Sequence, residues 1–342
     1  MKKKLLSVLM AAVMVAGVGG VGAAQVKADD EKILGAGIYS ASDNFNSYIG
    51  KAITNACDGI FKTNIEDGQN DQSTQNNQVD TMLAKGASAV AVSVCDVTAA
   101  PTLIQKCKDA GNVPIIFFNK EITDYDVINS YENAYQVTST GGDYGASIQA
   151  QMVIDYWKEH PEMDKNGDGK LQLVYLMGDP GHTASQPRCD YLKSTIEDAG
   201  IEIDLLAEDT GMWVTATAKE KMDAWVSKYG DEIECCVAGN DAMALGALSA
   251  VEAAGFNTDG EESSKYIPIY GIDALPEILS KIESGEITGS VLQDAKTQGQ
   301  TIVKMAENLT SGKDAVDGIE GVEVEEEAKA VRVPYQAITK DN

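Results

Sequence analysis

An oxygen-rich segment at residues 164–172, DKNGDGKLQ, has the spacing of a calcium-binding loop. Side-chain oxygens stand at alternate positions, a glycine is sixth, where the chain must turn sharply, and a backbone carbonyl fills the seventh place. We therefore predict Ca²⁺ as a bound cofactor, and a metal-free turn rich in Asp, Asn and Gly is the alternative. The predicted ligands within the segment are Asp164, Asn166, Asp168, the Lys170 carbonyl and Gln172.

The twelfth position of this loop differs from that of an EF-hand. An EF-hand has a bidentate Glu there, whereas this chain has Tyr175 inside the apolar run LQLVYLM. The helix-loop-helix form of the site is therefore excluded. A carboxylate from another part of the chain must complete the ligand set.

A second group of polar residues follows the same apolar run. The segment GDPGHTASQPR ends the predicted strand with Gly and Pro and then presents His182 and Arg188. Open α/β sheets bind their ligands at the carboxyl ends of strands. One His and one Arg are more often structural residues, so their role depends on what else reaches the same crevice.

Asp and Asn residues directly follow four further predicted strands, where each is predicted to open a helix. Capping the helix is the commonest role of these residues in that place. Their shared position at strand ends in both halves of the chain instead predicts a crevice of carboxylates and amides, which suits a neutral polyhydroxylated ligand. The residues are Asp43, Asn44, Asn119, Asn240, Asp241 and Asp273.

Two aromatic residues lie at comparable places in the sequence. Trp213, in DTGMWVTA, follows another predicted strand, and Phe45 stands close to Asp43. Both offer a flat face to the apolar C–H patches of a pyranose ring. Core packing is the alternative role for both side chains.

Apolar runs and helical periodicities alternate from residue 33 onward, which predicts βα units and parallel sheets covered on both faces. The alternation restarts after residue 137, and 342 residues suit two α/β domains, the first of flavodoxin-like or related winding. The absence of a Pro- or Gly-rich linker indicates several short crossings. The acidic run GVEVEEE is predicted as a solvated loop or a hinge strand, and KAVRVPYQAI as one last extended segment.

Composition and the N-terminus define the compartment and exclude some partners. Residues 1–28 combine Lys2 to Lys4, an apolar run and small residues, which predicts a cleaved secretory signal peptide and an exported protein. A net charge of −26 argues against nucleic acid as a partner. The six cysteines have no metal-type spacing and are interpreted as small buried residues, while export leaves a disulfide open.

Short segments throughout the mature sequence resemble the periplasmic galactose/glucose-binding proteins, the substrate-capturing subunits of sugar ABC transporters in the periplasmic binding protein family. The segments that carry the resemblance include SDNF, QNDQSTQNNQVDTMLAKGA, VPIIFFNKE, DKNGDGKLQ, GDPGH, KEKMDAW, GNDAMALGA, GIDALPE and VRVPY. The resemblance implies two Rossmann-like parallel-sheet α/β domains joined by three crossings, with a sugar between them. The implied domains are residues 31–138 with 294–327, and 139–293 with 328–342.

The resemblance also implies specific ligands for the sugar and for calcium. Glu234 is the implied distant carboxylate of the calcium site, and Phe45 and Trp213 are implied to stack on opposite faces of the sugar ring. The implied sugar-binding residues are Asp43, Phe45, Asn119, His182, Arg188, Trp213, Asn240, Asp273 and Gln293.

Two positions depart from the pattern of that family. The family has a sugar-binding Asp two residues after the His, where this chain has Ala184, and an Asn in the segment VL-x-DA, where this chain has Gln293. Losing an acceptor and lengthening a contact side chain both alter which hydroxyl groups the site can pair. The hexose and the anomer that the chain prefers are therefore left open.

The resulting functional prediction is a monomeric periplasmic or extracytoplasmic protein without catalytic activity. It captures a hexose, D-galactose or D-glucose, by hinge closure and delivers it to the membrane subunits of an ABC transporter. A chemoreceptor is a further candidate partner. Two alternative functions remain: a sugar carrier that serves a chemoreceptor without transport, and a glycosidase that uses Asp43 and Asp273. A sugar-responsive transcription regulator should have a helix-turn-helix and a basic surface, whereas this chain has a predicted export signal and an acidic composition.

Overall fold

The computed structural model of the protein describes residues 32–139 and 142–342. The predicted signal peptide, residues 1–28, lies outside the described residues. Within those two ranges, no helix is both long enough and apolar enough to cross a membrane.

Strands and helices alternate through most of the described chain. The strands are β1 (Ile33–Ile38), β2 (Lys62–Asp67), β3 (Ala89–Val92), β4 (Ile115–Phe118), β5 (Ala134–Ser139), β6 (Lys170–Met177), β7 (Glu202–Thr210), β8 (Cys235–Ala238), β9 (Ile269–Asp273), β10 (Gly289–Leu292), β11 (Glu323–Glu325), β12 (Ala330–Val333) and β13 (Gln336–Thr339). The helices are α1 (Asn44–Ala56), α2 (Gln72–Ala84), α3 (Ala100–Asp109), α4 (Tyr125–Asn129), α5 (Gly142–Glu159), α6 (Ser185–Asp198), α7 (Thr215–Tyr229), α8 (Asp241–Ala253), α9 (Pro276–Glu283) and α10 (Ala295–Thr310). Short 3₁₀ helices occupy Val97–Ala99, Pro161–Met163 and Gly230–Glu232.

The strands form two sheets, which confirms the predicted α/β class with two parallel sheets. The seven-stranded sheet has the order β11-β12-β5-β4-β3-β1-β2, and the six-stranded sheet has the order β13-β10-β9-β8-β6-β7. Among the described strands, only the pairs β11–β12 and β10–β13 are antiparallel. We call the first sheet with α1–α4 and α10 the first lobe, and the second sheet with α5–α9 the second lobe.

Central strands bury both of their faces, which explains why their sequences are unbroken apolar runs. In β3, Ala89 and Ala91 face one core cluster while Val90 and Val92 face another on the opposite side of the sheet. In the second lobe β6 divides in the same way, with Val174 in one cluster and Tyr175 in the other. Each lobe therefore has two cores, one on each face of its sheet.

The chain passes between the lobes three times: between β5 and α5, between β10 and α10, and between β12 and β13. The last passage corrects the implied domain boundary, which gave all of 328–342 to the second domain. Strand β12 pairs with β5 in the first lobe, with Val333 opposite Ser139, and only β13 joins the second sheet. The tail is thus two strands in different sheets, divided at the Pro334 position, where the missing N–H of proline interrupts a ladder.

Two other sequence expectations have a definite outcome. The acidic run forms an edge strand, β11, that pairs antiparallel with β12. All six cysteines are free thiols, and five of them are buried. The interpretation of the cysteines as small buried residues therefore holds for all but Cys95, which is partly exposed.

Candidate functional site

A cavity of about 300 Å³ lies between the lobes at the carboxyl ends of their strands. That volume is at the lower end of ligand pockets, which span roughly 300–1,000 Å³, and so indicates a small ligand. The structure brings all nine residues implied as sugar ligands to this cavity, and each lies at the carboxyl end of a strand or in the segment after it. The nine are Asp43, Phe45, Asn119, His182, Arg188, Trp213, Asn240, Asp273 and Gln293.

Asp43 caps helix α1 and faces the cavity at the same time. Its Oδ1 accepts a hydrogen bond from the backbone N–H of Asn46 at 2.9 Å, and its Oδ2 accepts one from the hydroxyl of Tyr39. Burial raises the pKa of Asp43, and the hydrogen bonds from Tyr39 and Asn46 oppose that rise. The cap and the ligand roles of this residue are therefore compatible, since a carboxylate can accept about four hydrogen bonds.

Lys120 supports this arrangement from behind and was not a candidate from the sequence. Its ammonium lies 4.0 Å from the centre of the Tyr39 ring and donates to the carbonyl of Cys95 at 2.8 Å. A cation over the ring face is a favourable contact in a buried setting. Lys120 thus fixes the ring whose hydroxyl orients Asp43.

Arg188 is the buried cation of the second lobe. It donates from Nη1 to the carbonyl of Gly239 at 2.6 Å, and from Nη2 to Gln293 Oε1 at 2.9 Å and to the Tyr335 hydroxyl at 3.3 Å. Its guanidinium carbon lies 5.6 Å from the centre of the Trp213 ring. Its third nitrogen, Nε, has no hydrogen-bond partner among the described residues.

His182 and Asn119 meet across the cleft, from the second and the first lobe. Nδ1 of His182 accepts the backbone N–H of Ala184 at 3.1 Å, which leaves the proton of the neutral ring on Nε2, 3.4 Å from Asn119 Oδ1. Burial, with the nearby charges of Lys120 and Arg188, lowers the pKa of His182 well below its usual value. The imidazole is therefore a neutral hydrogen-bond donor in this cavity.

Trp213 and Phe45 are both core residues and cavity residues. Core packing and contact with a sugar ring are therefore compatible roles for these side chains. Trp213 is 5 % exposed and Phe45 is 3 % exposed, and each belongs to a core cluster as well as to the cavity wall. Trp213 lies against the backbone of Gly178, where a Cβ atom would be 1.9 Å from the indole ring. Only glycine at position 178 permits this ring position.

The expectation that four Asp or Asn positions open helices is half right. Asp43 and Asn240 are helix caps, and Asn240 Oδ1 accepts the N–H of Met243 at 3.0 Å. Asn119 instead follows β4 with a positive φ of 65°, and Asp273 is the last residue of β9, with α9 beginning three residues later. Asn44 and Asp241, which were grouped with them, do not line the cavity.

Further cavity residues come from parts of the sequence that gave no chemical signal. Tyr335 lies in the last crossing and bonds Arg188, and Glu121 lines the cavity while it pairs with Arg332 at 2.7 Å. The segment VRVPY contains both Arg332 and Tyr335 and carries part of the family resemblance, so the resemblance could have pointed to Tyr335. Thr138 and Ser139, at the end of β5, also line the wall.

Several polar atoms at the cavity have no partner in the described chain. They are two donors, Arg188 Nε and Trp213 Nε1, and one acceptor, Asp273 Oδ2. A buried polar atom without a partner costs free energy, on the order of 1–3 kcal/mol. All three residues line the cavity, so a bound molecule with both donor and acceptor groups is a candidate partner for these atoms.

The oxygen-rich loop lies apart from this cavity, in the second lobe. Asp164 accepts backbone N–H groups from Gly167 at 2.8 Å and Gly169 at 2.9 Å. Glu234, the implied distant carboxylate, reaches the loop, where it accepts the N–H of Lys165 at 2.7 Å and the N–H of Gln172 at 3.0 Å. The loop residues and Glu234 are therefore neighbours, although 62 positions separate Glu234 from Gln172.

The side chains of the loop meet some requirements of a metal site. In the described part of the chain, no three His, Cys, Asp or Glu side chains are arranged as a metal cluster. Oε1 of Gln172 is buried without a partner, however, and it belongs to the predicted ligand set. The donor set is all oxygen, which fits a hard cation such as Ca²⁺.

Comparison with known proteins gives a consistent set of relatives. The family model described as a periplasmic binding protein domain matches residues 36–314. The chain is 42 % identical over 312 residues to the D-galactose/methyl-galactoside binding periplasmic protein MglB of Haemophilus influenzae, with 90 % of each chain covered. It is 29 % identical to a putative rhizopine-binding protein of Rhizobium meliloti over 87 % of this chain and 88 % of the relative.

Solved structures show the same arrangement of lobes. An ABC transporter solute binding protein from Bacillus halodurans with bound myo-inositol superimposes with a TM-score of 0.72 at 28 % identity, covering 91 % of this chain and 96 % of the other. A periplasmic solute binding protein from Actinobacillus succinogenes with bound D-allose has a TM-score of 0.72 at 18 % identity, with coverages of 91 % and 98 %. At that lower identity the similarity concerns the fold alone.

Proposed function

Because the chain belongs to the periplasmic binding protein family, we propose that it captures one monosaccharide between its lobes and delivers it to the membrane subunits of an ABC transporter. The family consists of substrate-binding proteins that act outside the cytoplasm. We propose a D-hexose, D-galactose or D-glucose, as the ligand, and a monomer that binds without catalysis. Recognition by a chemoreceptor stays a prediction.

The observation that carries the proposal is one cavity whose lining residues include both unpaired buried polar atoms and two aromatic rings. Arg188 Nε and Trp213 Nε1 can donate and Asp273 Oδ2 can accept, as hydroxyl groups of a sugar require. Trp213 and Phe45 offer the apolar faces on which a pyranose ring stacks. A small neutral polyol satisfies both requirements, whereas an apolar ligand would leave the polar atoms unpaired.

Contacts between the lobes support hinge closure as the mechanism. The Tyr48 hydroxyl on α1 bonds the Glu277 carboxylate on α9 at 2.9 Å, and the rings of Tyr39 and His182 lie 6.0 Å apart, edge to face. Both pairs join the first lobe to the second, and both would separate if the cleft opened. A ligand that touches both lobes favours the closed arrangement by its differential affinity for it.

The enzyme alternative finds little support in the surroundings of Asp43. Its two carboxylate oxygens accept bonds from Tyr39 and Asn46, which fixes the carboxylate as the cap of α1 and orients it as an acceptor for a ligand hydroxyl. Incubation with aryl galactosides and aryl glucosides should release no free sugar. Measurable turnover would replace the binding proposal with a glycosidase.

The expected ligand can be identified by titration calorimetry of the protein against a panel of aldoses. D-Galactose or D-glucose should bind with a stoichiometry of one, and a sugar that differs from the bound one at a single paired hydroxyl should bind at least tenfold more weakly. Mannitol, which cannot present a ring to the aromatic faces, is the matched control and should give no heat. A panel without any binding sugar would contradict the proposal.

Residue 184 tests the hexose assignment directly, because Ala184 is the N-cap of α6 and lines the cavity without any side-chain hydrogen bond. Ala184→Asp supplies the charged acceptor that the family resemblance implies at this position, worth about 1.5–3 kcal/mol when it meets a hydroxyl. We expect tighter binding of the preferred hexose, by roughly one to two orders of magnitude in calorimetry.

Ala184→Asn is the control for this gain, since Asn caps a helix as well as Asp but carries no charge. It should raise the thermal stability about as much while improving hexose affinity far less. If Ala184→Asp instead weakens binding of both hexoses, the cavity accommodates another sugar. Gln293, whose Oε1 is already engaged by Arg188, would then present only its amide N–H groups to that sugar.

We further propose that the loop at 164–172 and Glu234 bind Ca²⁺ through Asp164, Asn166, Asp168, the Lys170 carbonyl, Gln172 and Glu234. Support comes from the spacing of the oxygen groups, from the approach of Glu234 to the loop and from the unpaired Oε1 of Gln172. The loop belongs to one lobe and has no residue in the cavity wall. Its metal would stabilise that lobe without contacting the sugar.

A further inference from the structure

Asp241 is a fully buried carboxylate that stands next to the cavity residue Asn240 yet does not line the cavity. It is the first residue of α8 and packs against β9, where a Cβ atom at Gly271 would lie 2.2 Å from its Oδ1. The sugar-binding proposal gives it no task. A buried carboxylate needs hydrogen-bond partners, and those partners define what it holds.

Both oxygens of Asp241 are engaged by the turn that follows β9 and by β10. Oδ2 accepts the backbone N–H of Leu275 at 2.7 Å, and Oδ1 accepts the hydroxyl of Ser290 at 2.6 Å. The hydroxyl oxygen of Ser290 in turn accepts the backbone N–H of Ala274 at 3.2 Å. The two N–H groups after Asp273 are thus bound by this carboxylate and this hydroxyl.

That turn has a backbone that needs external support. Asp273 has a φ of 131° and Ala274 a φ of 51°, both in the region that residues with a side chain rarely adopt. Such conformations persist only where the surroundings hold them. Asp273 is also the cavity residue whose Oδ2 has no partner in the described chain.

We propose that Asp241 and Ser290 are positioning residues for ligand binding, which hold the 273–275 turn and thereby direct the Asp273 carboxylate into the cavity. This proposal rests on the proposed sugar-binding function for its affinity readout. The charged groups that face the pair are Asp273 on β9 and Arg188 on α6. Among the described residues, the carboxylate of Asp241 bonds only Leu275 in the turn and Ser290, so its effect on a ligand passes through the turn to Asp273.

The test is a double-mutant cycle in sugar affinity, measured by calorimetry with the hexose that the parent protein binds. Asp241→Asn and Ser290→Ala should each weaken binding about tenfold, as expected for one misdirected hydrogen bond. In an Asp273→Asn background the same substitutions should change affinity less than twofold, because the residue through which they act is already disabled. An equal tenfold loss in both backgrounds would overturn the proposal.

Asn257→Ala is the matched structural control. Asn257 is a buried amide in the same lobe that bonds the backbone of Ile267 through both of its polar atoms, at 2.8 and 2.9 Å, and it has no contact with the cavity. This variant should lower the melting temperature while hexose affinity stays within twofold of the parent. Asp241→Asn keeps the side-chain shape and one acceptor oxygen, so folding should be preserved.

Amide hydrogen exchange gives a readout that does not depend on any sugar. The N–H groups of Ala274 and Leu275 should exchange at least tenfold faster in Asp241→Asn and Ser290→Ala than in the parent. In Asn257→Ala their exchange rates should equal those of the parent. Unchanged exchange at both amides would overturn the proposal even if sugar affinity fell. If the parent binds no aldose, the proposed function fails, and the exchange rates still decide whether these residues hold the turn.

Discussion

Replacing Arg188 with Met should weaken hexose binding by about 3–5 kcal/mol, which is more than a hundredfold in Kd. Methionine keeps most of the apolar stem but removes every donor. The carbonyl of Gly239, Gln293 Oε1 and the Tyr335 hydroxyl would each lose their partner, and the nearby carboxyl of Asp273 would lose its cation. The ligand would also lose the free Nε donor.

Two variants separate this effect from unfolding. Arg188→Lys keeps the charge but cannot reproduce the planar set of donors, so it should recover stability better than affinity. Lys193→Met, on the same helix, removes a cation that pairs with Glu208 at 2.9 Å on the partly exposed surface and should leave hexose affinity unchanged. An Arg188→Met protein that folds and binds the hexose within threefold of the parent would refute the assignment of Arg188 to the ligand site.

Removal of calcium should lower the melting temperature and leave sugar affinity nearly unchanged. A metal that binds only the folded chain contributes RT ln(1 + [L]/Kd), which is about 2.7 kcal/mol at a hundredfold excess over Kd. The calcium-free protein should stay folded, because Asp164 and Glu234 accept backbone N–H bonds that organise the loop without the metal. Calorimetric melting with calcium and with EDTA measures the difference.

Glu234→Gln should reproduce the effect of EDTA and should make the melting temperature insensitive to added calcium. Glu202→Gln is the control, because Glu202 is an exposed carboxylate beside the loop that pairs with the Lys170 ammonium at 2.5 Å and is not a predicted ligand. That variant should keep the full response to calcium. Identical melting curves of the parent protein in calcium and in EDTA would exclude a structural calcium site.

The sequence by itself determined the type of fold and the identity of half of the residues that line the cavity. Runs such as AVAV in β3 and IIFF in β4 are apolar at every position because both faces of a parallel sheet are covered, and this pattern is readable without coordinates. The ends of such strands can also be read from the sequence. Since parallel strands bring their carboxyl ends to one edge, Asn119, Asn240 and Asp273 could be predicted to converge.

Adjacent polar residues at one strand end show what the sequence could not predict. Asn240 and Asp241 are neighbours at one strand end, yet Asn240 lines the cavity while Asp241 is buried against Gly271 and holds a turn. The direction in which α8 leaves β8 decides which of the two side chains faces the ligand. That direction is set by packing of the helix on the sheet, which the local sequence does not encode.

The tertiary structure alone also decided the partners that lie far apart in the chain. Lys120 meets Tyr39, Tyr335 meets Arg188, and β12 pairs with β5 of the first lobe although β13 follows within three residues in the other sheet. Each of these contacts depends on where two separate elements stop and how closely they approach. Local propensity and periodicity report burial and direction along one element, whereas contacts across the cleft follow from the joint packing of both lobes.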